Sequence, residues 1–128
     1  MFGPDETIRI GMIGSGGNAR GHMRRLMQID GVEIAGIADP AGDAVEAAME
    51  LDGMSEDVPT FADYRQMLDD VELDAVEIST PHTLHYEHIN AALDEGLNIL
   101  CEKPMVCTVG EAEGVLDRLA DMDIIFGI

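Results

Sequence analysis

Residues 11–21 read GMIGSGGNARG, and Gly14, Gly16 and Ala19 fall in the frame G-x-G-x-x-A. Each position has a physical reason in a dinucleotide-binding turn. Gly14 allows the tight bend, Gly16 lets the main chain approach a pyrophosphate, and Ala19 is small enough for the helix to pack against the preceding strand. Ser15, Gly17 and Asn18 complete the candidate phosphate cradle. Free N–H groups and the helix dipole there hold phosphate without basic side chains. That suits a chain with 26 acidic and 7 basic residues. Asp39 closes the second apolar run, where a carboxylate accepts hydrogen bonds from both ribose hydroxyls and repels a 2′-phosphate. Pro40 and Ala41 follow it, not an arginine, so NAD is the expected cofactor and NADP the alternative. FAD shares the fingerprint, but the second half of the chain argues against it. A glycine-rich turn with no ligand is the plainer reading; a strand, a helix and an acid in register weigh against it.

The segment LCEKPM, residues 100–105, holds Lys103, the single lysine beside six arginines. An ammonium on a flexible stem shifts its pKa when desolvated, whereas arginine stays charged. Replacing every lysine but this one with arginine is consistent with a chemical need for Lys103. Pro104 is expected to fix the turn that aims it, and a cis bond there is not deducible from sequence. His82, His85 and His88 are spaced by three, which on one helical turn can bind a metal. His82 directly follows Pro81, however, ahead of the helix, and no Asp, Cys or fourth His completes a set, so no metal is expected. His88 reads as a surface or packing residue and His22 as structural. Arg20 reads as part of a solvated face sooner than as a phosphate ligand. The nine methionines fall mainly on apolar helix faces, as core filler.

These residues need elements to position them. Thr7–Ile13 and Val32–Ala38 are short, β-rich and mostly apolar, as strands covered on both faces should be. Between them Ala19, Met23, Leu26 and Met27 share one helical face. A second helix is expected over Pro40–Asp52, ending at Gly53. A short strand near Pro59–Phe61 precedes a helix carrying Tyr64, Met67 and Leu68. Ala75–Ser79 reads as a strand, and His85, Ile89, Ala92 and Leu93 as a helical stripe ending at Gly96. Asn98–Glu102 is another strand, with Cys101 buried and reduced. Thr108 and Glu111 have the capping-box form, and Ala112, Val115, Leu116 and Leu119 supply the buried face of that helix. Ile124–Phe126 is a last strand. Such alternation means βαβ units and an α/β, doubly wound parallel sheet of the Rossmann kind, in three αβα layers. One dinucleotide-binding domain is expected over residues 1–128.

Residues 79–105, STPHTLHYEHINAALDEGLNILCEKPM, together with the glycine turn, resemble the glucose–fructose oxidoreductase, inositol dehydrogenase and MocA family over essentially the whole chain. His82 departs from that pattern, since many members carry asparagine there. The resemblance implies that Ser79, Thr80, Pro81 and His82 line the nicotinamide side of an NAD site. It implies that Glu102 and Lys103 sit near nicotinamide and substrate, the lysine assisting proton movement during hydride transfer. It also implies that His85 faces the cofactor edge from a helix start, making Lys103, Glu102 and His85 the catalytic candidates. Members are normally more than twice this length, with a C-terminal α/β domain that supplies most substrate contacts. The chain is therefore expected to be a fragment or excised domain that binds cofactor with little turnover alone. Its parent is expected to be an NAD(P)-dependent dehydrogenase acting on a secondary alcohol of a sugar, polyol or related small molecule. A glycoside-cleaving enzyme of the same fold and a non-catalytic dinucleotide-binding module are the alternatives.

A net charge of −19 argues against nucleic acid and anionic membrane as partners. The acid excess and scarce lysine suggest a halophilic protein of a salt-rich cytoplasm, where ions screen self-repulsion. No apolar run approaches the roughly 20 residues of a membrane span, and the start, MFGPDETIRI, lacks a signal-peptide pattern. The face left for a missing domain is expected to favour a homo-oligomer.

Overall fold

The computed structural model describes residues 5–128. The first four, part of the segment read as lacking a signal peptide, lie outside the described residues. In chain order the elements are β1 (Ile8–Ile13), α1 (Gly17–Leu26), β2 (Val32–Ala38), α2 (Gly42–Met49), β3 (Thr60–Phe61), α3 (Tyr64–Asp70), β4 (Ala75–Ile78), α4 (His85–Asp94), β5 (Asn98–Cys101), α5 (Val109–Leu119) and β6 (Phe126–Gly127). A short 3-10 turn, His82–Leu84, leads into α4. The strands form one sheet in the order β3-β2-β1-β4-β5-β6, and every neighbouring pair is parallel. The chain runs outward from β1 to β3, then returns to β4 on β1's other side. That reversal is the switch point of a doubly wound sheet.

Alternation along each strand divides the core. Met12, Ile34 and Ile37 pack with Ala19, Met23 and Ala48 on the face of α1 and α2. Ile13, Ala38, Val76 and Ile78 pack with Tyr64, Met67, Ile89, Leu93 and Val115 on the face of α3, α4 and α5. Met12, Met23, Ile37 and Ile78 are fully buried, each contributing roughly 1.5–3 kcal/mol.

Several boundaries differ from expectation. α2 begins at Gly42, not Pro40, because Asp39 Oδ1 accepts the Ala41 N–H and holds that stretch as a turn. It ends at Met49, and Gly53 sits beyond it at φ +90°. Thr108 does cap α5, accepting the Glu111 N–H at 3.1 Å. The return bond from Glu111 goes to the Cys107 N–H, one residue before the cap. Leu116 is exposed, not buried; α5 presents Val115 inward, with Ala112 and Leu119 half-buried. The last strand pairs through Phe126 and Gly127, overlapping the expected Ile124–Phe126 only at Phe126. The Lys103–Pro104 bond is cis, and Cys101 is buried while Cys107 is exposed.

The ends of β1 and β4 touch at Gly14. Its φ is +103°, and a Cβ there would lie 2.5 Å from the Ser79 carbonyl oxygen. Gly14→Ala should therefore destabilise the fold by about 3 kcal/mol, from a left-handed backbone and a main-chain clash together; chemical denaturation of the two proteins measures it.

Candidate functional site

Three segments meet at the C-terminal edge of the sheet. The glycine turn leaves β1, Asp39 leaves β2, and Ser79–Pro81 leaves β4. Gly14 N–H donates to the Ala38 carbonyl (2.8 Å) and Ser79 N–H to that of Ile13 (2.9 Å), so the three are tied by main-chain bonds. They line a crevice of about 700 Å³ with Tyr64, Arg65, Leu84 and His88. Gly16 is the N-cap of α1 with φ −68°, ordinary backbone for any residue. A Cβ at Gly16 would meet nothing within 4 Å. The protein's own atoms give no reason for glycine there, whereas close approach of a ligand to the main chain does. Ala19 is fully buried against the sheet, as its place in the motif requires. Gly17 and Asn18 lie exposed in the first turn of α1. Arg20 is half-buried, and its guanidinium donates to the Ser15 carbonyl at 2.8 Å.

Asp39 accepts from the Ser15 N–H (2.8 Å) and hydroxyl (3.0 Å) on Oδ2 and from Ala41 N–H on Oδ1. A carboxylate offers about four acceptor positions, so one stays open on Oδ1 and another opens when the Ser15 hydroxyl rotates. Two ribose hydroxyls can thus be served. The fully buried Ser15 is the strut that aims the acid.

Thr80 is held from below by two histidines. His88 is 4% exposed, with Nδ1 2.8 Å from the Thr80 hydroxyl and its ring edge-on to Tyr64. Tyr64 in turn donates to Glu87 at 2.8 Å, and burial followed by that bond pushes its phenol up to about 12. His85 does not face the cofactor edge. It is fully buried, with Nδ1 2.7 Å from the Pro104 carbonyl and Nε2 3.0 Å from the Thr80 carbonyl. Both ring nitrogens lie within hydrogen-bond distance of main-chain carbonyls, of which a neutral ring donates to one, so buried His85 sits between the Ser79–Pro81 segment and the Lys103–Pro104 turn. His82 is exposed at the 3-10 turn, its ring 5.7 Å from that of His85. No group of three metal-binding side chains occurs among the described residues.

Lys103 is exposed and lines a smaller adjoining cavity of about 320 Å³ with His22, Glu77, Cys101 and Glu102. Lys103 thus opens onto a different space from the crevice at the glycine turn, with Ser79 lining one and its hydrogen-bond partner Glu77 the other. His22, read as structural, reaches Glu102 at 2.8 Å, and that bond holds the Glu102 carboxyl below its usual range. Sequence reasoning passed over His22 and Glu77. The signal for His22 was its place three residues after Ala19, on the side of α1 that faces the sheet. For Glu77 it was a carboxyl in the middle of a strand covered on both faces.

The model of the oxidoreductase family with an NAD-binding Rossmann fold matches residues 8–128. The chain belongs to this family. It is 34% identical over 110 residues to the rhizopine catabolism protein MocA of Rhizobium meliloti, covering 86% of this chain and 33% of that protein. An inositol 2-dehydrogenase of Streptomyces avermitilis is 37% identical over 121 residues, which cover 88% of this chain and 34% of the relative. Among solved structures, the myo-inositol dehydrogenase of Lactobacillus casei in complex with NAD(H) and myo-inositol superposes with a TM-score of 0.84 at 27% identity. That match covers 94% of this chain and 35% of the dehydrogenase. A 3-ketoreductase from Actinomadura kijaniata, solved with NADP, gives 0.81 at 25% identity, covering 94% of this chain and 38% of the reductase. The chain thus spans about a third of the length of the curated relatives it matches.

Burial lowers the His88 imidazole to about 4, while the ring in an unfolded chain titrates near about 6.5. Between those values the unfolded state binds the extra proton, so stability falls as pH drops from about 6.5 to about 4. The loss should amount to on the order of 2–3 kcal/mol. Urea midpoints across that range should show a shallower decline for His88→Asn than for wild type.

Proposed function

We propose that this chain is the cofactor-binding part of an NAD-dependent dehydrogenase oxidising a secondary alcohol on a polyol or sugar. The observation that carries the reading is Gly16, a glycine with ordinary φ and open space where its Cβ would stand, at the cap of α1. The pyrophosphate would lie against the main-chain N–H groups of residues 16–18 at the helix N-terminus. Asp39 would take the adenosine ribose, and Ser79, Thr80 and Pro81 the nicotinamide side. The bound cofactor supplies the hydride acceptor. This chain's residues would bind and orient it; Lys103 as the neutral amine would take the proton of the alcohol, and Glu102 would balance the charge of the ammonium so formed. The inositol dehydrogenases among the relatives support a polyol as the substrate class. Turnover by this chain alone is expected to be slight, since few substrate-facing groups are present.

The same observation sets the test. Gly16→Ala should melt as wild type does, because its methyl enters free space, yet bind NADH at least about tenfold more weakly, near 1.4 kcal/mol. Fluorescence titration in molar KCl measures this, with NADPH expected to bind less well than NADH. A wild-type chain with no affinity for either dinucleotide overturns the reading.

The net charge of −19 further supports a protein adapted to a salt-rich cytoplasm. Screening shortens the reach of like-charge repulsion to about 3 Å at 1 M salt. The melting temperature should rise by several degrees or more from dilute buffer to molar KCl, and a salt-insensitive melt removes the proposal.

A further inference from the structure

Glu77 is a titratable group that the cofactor site does not use, and its surroundings are unusual. It stands in the middle of β4, 1% exposed, opposite the non-titratable Met12 of β1. Its flanking residues Val76 and Ile78 enter the core on the α3–α5 side, so Glu77 points to the α1 side. The Ser79 hydroxyl donates to Oε1. Among the described residues Oε2 has no hydrogen-bond partner, a costly state for a buried carboxylate oxygen.

Around it, α1 contributes His22 and Arg25, and β5 with its following turn contributes Cys101, Glu102 and Lys103. His22 Nε2 lies 2.8 Å from Glu102 Oε2 and 3.8 Å from Glu77 Oε1. Arg25 Nη2 lies 3.1 Å from the other ring nitrogen, Nδ1. A guanidinium only donates, so Nδ1 accepts and the ring hydrogen sits on Nε2, aimed at both carboxyls. Two carboxyls therefore lie near a single N–H, one at hydrogen-bond distance and one beyond it, and two neighbouring acids of which one is buried do not both ionise cheaply. Glu102, with 29% of its side chain exposed, takes the short bond. Glu77 is left with burial and an orphan oxygen.

We propose that Glu77 holds a proton for this site, and that Glu77 and His22 are positioning residues that keep Glu102 ionised and aimed beside Lys103. This rests on reading the Glu102–Lys103 segment as part of the oxidoreductase site. Burial is the main cause that raises the Glu77 carboxyl to about 7, and the His22 hydrogen bond is the main cause that lowers Glu102. Environments that push two acids apart in this way divide the roles of proton holder and anion between them. Below the Glu77 transition the smaller cavity holds one carboxylate against one ammonium. Above it a second negative charge enters within reach of the same imidazole.

Carboxyl-carbon NMR of the glutamate-labelled chain in molar KCl, titrated from about pH 4 to pH 9, tests this. Glu77 should titrate near neutrality, and the Glu102 carboxyl and His22 ring signals should inflect at that same pH. Glu77→Gln should abolish the shared inflection and leave the lower Glu102 transition in place, and His22→Gln should move the Glu102 transition upward. Glu77 titrating with the exposed glutamates near about 4.5, or titrating near neutrality unsensed by Glu102 and His22, overturns the proposal. Both deciding signals come from the wild type, so a variant that fails to fold does not blunt the test. NADH titration of the same sample separates the premises. Absent binding overturns the cofactor reading alone, and an uncoupled titration overturns the Glu77 assignment alone.

Discussion

No side chain fits where β1 and β4 end together. The 2.5 Å separation between a hypothetical Cβ at Gly14 and the Ser79 carbonyl fixes how near the two strand ends come. It follows from the reversal of strand order at β1, which places β4 directly beside it. Because the strand ends are that close, the turn leaving β1 and the segment leaving β4 open onto one crevice instead of two separate surfaces. Asp39 reaches the same space through Ser15, and Thr80 is held there by His85 and His88. Each support depends on the others' main-chain positions, so the contact at Gly14 constrains a site much larger than itself.

A chain this acidic meets a difficulty with a dinucleotide, whose diphosphate is anionic. The arrangement at α1 answers it with geometry. In the proposed site the N–H groups of residues 16–18 would meet the diphosphate, and the nearest carboxylate, Asp39, is already engaged. Asp39 spends Oδ2 on the Ser15 amide and hydroxyl, which draws its charge toward the turn's own donors and away from the open cradle at Gly16. Arg20 gives its guanidinium to the Ser15 carbonyl, reinforcing the turn. Phosphate recognition by backbone keeps working in strong salt better than distant charge attraction does, because hydrogen bonds at contact are screened far less than charges separated by a Debye length.

The order and type of the elements were legible because two periodicities alternate cleanly. Two-residue alternation and apolar runs mark the strands, and i, i+3, i+4 stripes mark α1 and α4. The glycine turn and Asp39 were legible because their roles are local: a bend, a cap and a strand end. What escaped depends on tertiary direction. Leu116 has the right spacing for the stripe of α5, yet that stripe is wider than the surface the sheet offers at β5 and β6, and Leu116 falls outside it. His85 carries an imidazole at a helix start beside the crevice, but its ring turns inward to two carbonyls that sequence does not bring together. His22 and Glu102 lie far apart along the chain, and only the folded position of α1 beside the turn after β5 joins them. The single lysine drew attention to residues 100–105. It did not reveal that Lys103 opens onto its own cavity, separated from the larger one by Ser79 and Glu77.

Surface and interior charges in this protein respond to different physics. Exposed carboxylates interact through water, over distances that molar salt screens almost completely. The His22–Glu102 bond is a 2.8 Å contact, and Glu77 is sealed from solvent beneath α1. Ions that quiet the surface do not enter that space, so its proton distribution is set by burial and by the single N–H that two acids face. The large net charge can then vary with little effect on the acid–base character of the site. That separation lets one fold carry an extreme surface composition while the proton distribution beside α1 stays set by local contacts.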